Sequence, residues 1–405
     1  MTRRHKIFLL CIALFAAVWI FVLVANQKPG KWRSFNLLWN KRSPPEGHSN
    51  TGMRSVVGIA RGSQTKLKSL PISDRSSNVS RQLPTPVLLF ASMRTGSSFV
   101  GELLGNSRDV FYLFEPGHAM QTTLLKMQGL QFTYDVPGLC INLMTKLFRC
   151  DFRGLDFYLE YLSQEPLEVL QRRTPRLYDA CVQNGSSNAT NCVVTSLMAT
   201  ESCQRSKFVV IKEIRVPDMT TLLPLIKDHV LDLKVIHLVR DPRPVTASRV
   251  LALTNKTLTS SNQTFGNFSK DYRDFLSDYC TESAANAKLG RQSPNWKGRY
   301  MLLRYEDVAS DPTSAAERIY QFLGDTLVPK TVRYWIATNT NVDVANRFST
   351  KRNSSQVYQA WRRTMPFGVA KAIEGARRCR EMMEMMGYRL LEDEKHQRNL
   401  SRPLY

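Results

Sequence analysis

The chain has 405 residues, 43% of them hydrophobic, and a formal charge of +22 from 56 Lys and Arg against 34 Asp and Glu. That is enough apolar material for one large domain or two with a full core. The excess of positive charge calls for a polyanionic partner, an acidic polysaccharide or an acidic membrane surface; with no zinc-finger spacing and no aromatic RNA-binding signature, nucleic acid is not that partner.

Residues 1–6 carry Arg3, Arg4 and Lys6 ahead of an unbroken apolar run, Ile7 to Ala25. At helical rise this run spans roughly 28 Å, close to the thickness of a bilayer core. It is long for a cleaved signal peptide, and no small-residue cleavage site follows. The expectation is a signal anchor over 7–25, a short cytoplasmic tail and a type II protein whose remainder is lumenal. Residues 26–84 hold eleven Lys or Arg and only Glu46 and Asp74 as acids, in a Ser/Pro/Gly-rich stretch without periodicity. This reads as a solvated basic stem.

From residue 85 to 390 strands alternate with helices. The strand candidates are Val87–Ser92, Val110–Phe114, Phe208–Ile214, Leu233–Val239 and Tyr300–Arg304, several of them continuous apolar runs. Such runs suit parallel strands buried on both faces. Helices are expected at Val100–Leu104, Thr220–Leu231, Val245–Leu253 and Ala315–Leu323. The fold class is α/β, a P-loop-like three-layer domain with a mostly parallel sheet, whose ligands bind at the C-terminal ends of the strands. Residues 391–405 form a C-terminal tail.

The first strand ends in Ser92, Met93, Arg94, Thr95, Gly96, Ser97, Ser98 and Phe99. A cation, a glycine and hydroxyls at a strand-to-helix turn make an anion site, with backbone amides and the helix dipole favouring negative charge. The turn lacks G-x-x-x-x-G-K-[ST], so it is not a nucleotide triphosphatase loop. Residues 117–206 interrupt the sheet pattern. They hold five of the eight cysteines, so a disulfide-tied insertion is expected. No C-x-x-C pair occurs, which excludes the common zinc and redox motifs. Seven cysteines lie beyond the anchor, so at least one is left over; which of them pair stays open. Glycosylation acceptors stand at Asn78, Asn184, Asn188, Asn255, Asn262, Asn267, Asn353 and Asn399, as suits a secretory-pathway lumen.

A second strand end reads Arg240, Asp241, Pro242, Arg243, Pro244, Val245, Thr246, Ala247, Ser248, followed by Arg249. Two arginines and hydroxyls at a strand end make another phosphate site. Two such sites suit a ligand with phosphates at separated places.

With both loops in order, R-T-G-S-S-F and R-D-P-R followed by Ser248, the chain resembles the Golgi carbohydrate 6-O-sulfotransferases. The blocks DVFYLFEP, KEIRVPDM, LKVIHLVRDPR, RYMLLRYEDVASDP and IYQFLG carry the resemblance from about Pro84 to Tyr388. Pro244 departs from the smaller residue usual after R-D-P-R. The resemblance implies sulfuryl transfer from 3′-phosphoadenylyl sulfate (PAPS) to a sugar 6-hydroxyl, with PAP as product and no metal. The sugar is galactose or N-acetylgalactosamine in keratan- or chondroitin-type glycans, or else N-acetylglucosamine on glycoprotein glycans. It further implies that Met93 to Phe99 bind the 5′-phosphosulfate, with Arg94 catalytic, and that Arg240 to Ser248 bind the 3′-phosphate. Glu115, at a strand end, is the candidate general base or a structural carboxylate; His118 is a weaker candidate. Lys212 and Arg215 contact sulfuryl oxygens or an acidic acceptor, or form a structural ion pair. A homo-oligomer is compatible with all of this. Two other classes compete: a nucleotide-phosphate kinase, counted against by the missing Gly-Lys-Ser/Thr, and a non-catalytic lumenal binder of acidic glycans.

Overall fold

The computed structural model describes residues 83–126, 135–185, 190–254, 258, 269–342 and 350–405. The expected anchor and nearly all of the stem, with Asn78, Asn188, Asn255, Asn262 and Asn267, lie outside the described residues. Among the described residues no helix is long and apolar enough to cross a membrane.

Five strands form one sheet: β1 (Thr85–Ala91), β2 (Val110–Phe114), β3 (Phe208–Glu213), β4 (Lys234–Val239) and β5 (Tyr300–Arg304). Their order is β2-β3-β1-β4-β5 and every pairing is parallel. The strands fall on the apolar runs of the sequence because both faces are covered. Leu88, Phe90, Phe111, Leu113, Val209 and Ile211 face one core, and Val87, Leu89, Val110, Tyr112, Phe208 and Val210 face the other. This alternation within continuous hydrophobic runs is the three-layer arrangement.

The first core is roofed by the insertion, whose described part is helical, with six helices between Pro116 and Gln204. Two disulfides tie it, Cys150–Cys203 and Cys181–Cys192, and Cys140 stays a buried free thiol. The second core receives α1 (Ser97–Gly105), which follows β1. A third core gathers α2 (Pro242–Thr254), α3 (Lys270–Gln292), α4 (Phe367–Gly375) and α5 (Arg377–Met386) beside the end of β4.

One expectation needs correction and one long helix was not expected. The helix expected over Thr220–Leu231 is a 3₁₀ turn at Met219–Leu222 and a short helix at Leu223–Ile226. Asp228 stops it, its side chain accepting from the amides of Val230 and Leu231 at 2.9 and 3.3 Å in place of a further helical turn. The 23-residue α3 escapes the sequence reading altogether. Its buried stripe, Leu276, Tyr279, Cys280, Ser283, Asn286 and Ala287, is helically spaced but half polar or small, so it gives no apolar signal.

Cys280 on α3 is bonded to Cys379 on α5, 99 residues away. Closing so long a loop removes about 4–5 kcal/mol of unfolded-state entropy. Cys280→Ser/Cys379→Ser is expected to lose stability on that scale in urea unfolding; a loss below about 1 kcal/mol would show that packing alone holds the two helices.

Candidate active site

Because every strand is parallel, all five C-terminal ends share one edge, and the chain puts its cations there. β1 stops at Ala91 and turns through Arg94, whose backbone is left-handed at φ 69°, and Gly96 at φ 92°. A side chain at Gly96 would place its Cβ 2.1 Å from the ring of Tyr305, so only glycine fits. No side chain caps α1, whose N-terminus begins directly after Gly96. The Phe99 amide donates to Gly96 O at 3.0 Å, which leaves the amides of Ser97 and Ser98 for a ligand at this edge. Thr95 is buried and spent on the turn, Oγ1 donating to Ser92 O at 2.8 Å. Ser97 and Phe99 are buried; Met93 and Ser98 are half-buried at the rim.

The β4 loop meets this turn directly. Arg240 Nη1 donates to Arg94 O at 3.1 Å and Arg249 Nε donates to Met93 O at 2.8 Å, so two guanidiniums hold the left-handed turn. Arg94 Nε donates to Ser248 Oγ at 2.9 Å. Tyr279 of α3 fixes Arg240 from behind: its hydroxyl accepts from Arg240 N at 3.1 Å and donates to Arg240 O at 2.6 Å. The Arg240 guanidinium lies 4.4 Å over the Tyr305 ring, and that of Arg249 3.3 Å over Phe275. Among the described residues neither Arg240 nor Arg249 joins an ion pair, and Arg240 Nε and Arg249 Nη1 are buried without a hydrogen-bond partner.

This is a site charged ahead of its ligand. Burial lowers the Arg94 pKa, and the charges of Arg240 and Arg352 push it the same way. Burial also draws Arg249 down to about 9. Cations crowded together at one edge favour an anion between them.

Arg243 departs from the sequence expectation. It is 0% exposed, with Nε 2.9 Å from Asp241 Oδ1, Nη2 2.6 Å from Asp241 Oδ2 and Nη1 2.8 Å from Glu374 Oε1. Every arm of the fork is spent inside the protein, so Arg243 and Asp241 brace the loop and do not reach a ligand. Pro242, Pro244 and Val245 are buried scaffold, Ala247 is half-buried, and Thr246 Oγ1 donates back to Pro242 O at 2.7 Å.

Glu115 sits at φ 46° just past β2. It is buried between Lys212 and Arg215, with Arg215 Nη1 2.7 Å from its Oε2 and Lys212 Nζ on its Oε1. Burial alone would raise its pKa, but the two cations outweigh it and hold the carboxyl at about 2. A carboxylate so held is a poor proton acceptor. The structural reading of Glu115 is the one the geometry favours. Lys212 and Arg215 are 2% and 4% exposed, and Arg215 also donates to Gln121 at 2.9 Å. The third Arg215 contact is to His118 Nδ1 at 3.0 Å. Arginine has only donors, so Nδ1 accepts and Nε2 carries the proton of a neutral ring, its pKa lowered to about 4 by burial and by Arg215. His118 is thus not poised as a base either.

A pH prediction follows from Glu115. Its folded pKa lies below the ordinary 4.5, so its pairing stabilises the fold above that value, and the contribution is lost as pH falls toward 2. The stability gap between wild type and Glu115→Gln is expected to be constant above about pH 5 and visibly narrower at about pH 3 in urea unfolding. An equal gap at both would refute the pairing.

The sequence reading gives no role to Arg249, Tyr279 or Tyr305. Arg249 had a signal, a third arginine one residue after the hydroxyl of a phosphate-type loop; the tyrosines had none. Trp296, Trp335 and Trp361 are 1%, 8% and 9% exposed and belong to the cores.

A family model described as a sulfotransferase domain matches residues 84–387. Carbohydrate sulfotransferase 3 of Homo sapiens is 34% identical over 327 residues, covering 76% of this chain and 68% of that protein. Carbohydrate sulfotransferase 1 of Mus musculus is 33% identical over 353 residues, covering 80% of this chain and 84% of that protein. Among solved structures, the sulfotransferase domain from the Synechococcus PCC 7002 olefin synthase aligns at 17% identity with a TM-score of 0.39, over 76% of this chain and 97% of that one.

Proposed function

The chain belongs to the carbohydrate sulfotransferase family, and from that membership we propose that it moves a sulfuryl group from PAPS to the 6-hydroxyl of a galactose or N-acetylgalactosamine in keratan- or chondroitin-type glycans. The observation that carries the reading is the pair of buried, unpartnered donors, Arg240 Nε and Arg249 Nη1, on cations that join no ion pair among the described residues. They fit a doubly charged phosphate beside the uncapped N-terminus of α1.

In this reading Arg240, Ser248 and Arg249 hold the 3′-phosphate, and the amides from Gly96 to Ser98 with the Ser97 and Ser98 hydroxyls hold the 5′-phosphate, the Thr95 and Phe99 amides being bonded to Ser92 O and Gly96 O. Bound PAPS supplies an activated sulfuryl group whose departure leaves negative charge on that 5′-phosphate. Arg94 is the cation placed to meet that charge, and its left-handed backbone, clamped by Arg240 and Arg249, fixes where it stands. Preorganised donors of this kind stabilise developing charge without rearrangement. Glu115 anchors Lys212 and Arg215, and the proton released by the acceptor hydroxyl passes to solvent water. The acceptor is an acidic glycan, and the enzyme works as a type II protein anchored through Ile7–Ala25 in the Golgi membrane. Three disulfides and exposed acceptors at Asn184 and Asn399 support an oxidising, glycosylating compartment.

Radiolabelled sulfate transfer from PAPS to desialylated keratan, chondroitin and mucin-type acceptors, with disaccharide analysis of the products, tests this. Label at the 6-position of galactose or N-acetylgalactosamine is expected. Label on N-acetylglucosamine would move the enzyme to the other branch, and no transfer to any acceptor would end the enzymatic reading.

A further inference from the structure

The helix α1 runs for nine residues, roughly 13 Å, from the arginine cluster to the opposite edge of the sheet. There, ahead of β2, a cavity of about 680 Å³ opens between the end of α1, the insertion helix Pro175–Gln183 and the helix Lys330–Asn339. A second hollow of about 400 Å³ continues it along the insertion helix. The volume is that of a site for a small ligand.

Its lining has a definite chemistry. Arg108, Arg176 and Lys330 face a single carboxylate, Asp179, and among the described residues none of the three cations is in an ion pair. Arg176 Nε and Thr331 Oγ1 are buried without hydrogen-bond partners, although Arg176 Nη2 bonds Arg108 O. Buried donors left unmatched cost free energy unless a ligand or water completes them. Tyr334, 72% exposed, presents a large aromatic ring at the cavity with little protein covering it. Asn106 and Asn339 also line it; their amide nitrogens donate to Glu102 O and Trp335 O, which leaves their amide oxygens as neutral acceptors. Cations, amides and an exposed aromatic ring around one cavity are what a charged sugar needs: ion pairs for its acidic group, hydrogen bonds for its hydroxyls and a flat apolar face for its ring.

We propose that this cavity is a second, non-catalytic binding site for an anionic oligosaccharide, which holds one stretch of a polymeric acceptor while another reaches the arginine edge. The link to turnover rests on the sulfotransferase reading; the binding does not. The test uses the exposed side chains only, as the triple variant Arg108→Ser, Lys330→Ser, Tyr334→Ala, with Arg94→Ala as the control at the other edge. Isothermal titration with a size-defined sulfated keratan oligosaccharide, without PAPS, is expected to give equal Kd values for wild type and Arg94→Ala and a Kd at least about tenfold weaker for the triple variant, at unchanged thermal melting. A desulfated oligosaccharide of the same length is expected to bind wild type at least about tenfold more weakly. In turnover, KM for the polymer rises in the triple variant, while kcat and the KM for a disaccharide acceptor stay put. Wild-type affinity in the triple variant, loss of binding in Arg94→Ala, or no binding to wild type overturns the proposal. If titration gives the expected pattern but no acceptor is sulfated, the site stands and the enzymatic reading alone fails.

Discussion

Arg94→Ala is expected to lower kcat by about 10²–10³-fold, the loss typical when one preorganised donor is removed from developing charge. The protein should remain folded, because Arg94 is only half-buried and its turn is held through backbone carbonyls by Arg240 and Arg249, which the substitution leaves in place. It should also remain on PAP-agarose, since the cations assigned to the 3′-phosphate are intact. Arg94→Lys should recover only part of the rate: it restores a charge, not the planar fork. A variant with wild-type kcat would remove Arg94 from the chemistry. Loss of PAP binding together with activity would mean that it binds the product nucleotide and does not act selectively on the transferring group.

An effect on stability close to that of the Cys280–Cys379 disulfide is expected at Arg243. Arg243→Ala leaves Asp241 and Glu374 buried, at 3% and 0% exposure, without their shared cation. Orphaning buried charges of this kind costs about 3–5 kcal/mol. Thermal and urea unfolding should both show it, and PAPS affinity of the fraction that folds should be near normal. Arg240→Ala should do the reverse: little change in melting, and a KM for PAPS raised about 10–100-fold, the equivalent of one or two charge-assisted contacts. If Arg243→Ala melted like wild type and weakened PAPS binding, the first reading of the loop, with both arginines on the phosphate, would be restored.

Arg240 and Arg243 show where reading the sequence stops. Each strand was legible because continuous apolar runs of five to seven residues leave little else for a chain to do. The two loops were legible because glycine, hydroxyls and arginine follow such runs directly. Which arginine faces outward was not, because Glu374, the carboxylate that claims Arg243, is 131 residues away. Glu115 stayed open between two roles for the same reason. A carboxylate at a strand end is visible in sequence; its neighbours Lys212 and Arg215, about a hundred residues on, arrive only through the pairing of β2 with β3. The cavity at the far edge of α1 was invisible, since its walls come from three separated segments without a shared motif.

The parts that brace the β4 loop lie far downstream of it in the chain. Glu374 and the carbonyl of Arg389 hold Arg243, Tyr388 reaches Glu306 beneath Asp241, and Cys379 secures the helix that carries Tyr279. At a synthesis rate of about 5–20 residues per second, some 8–30 s separate the appearance of Arg240 from that of the last of these supports. Both signature loops thus leave the ribosome well before the clamp they form can be finished. For the same reason a fragment that ends before Cys379 would keep every recognisable motif and still lack a competent site.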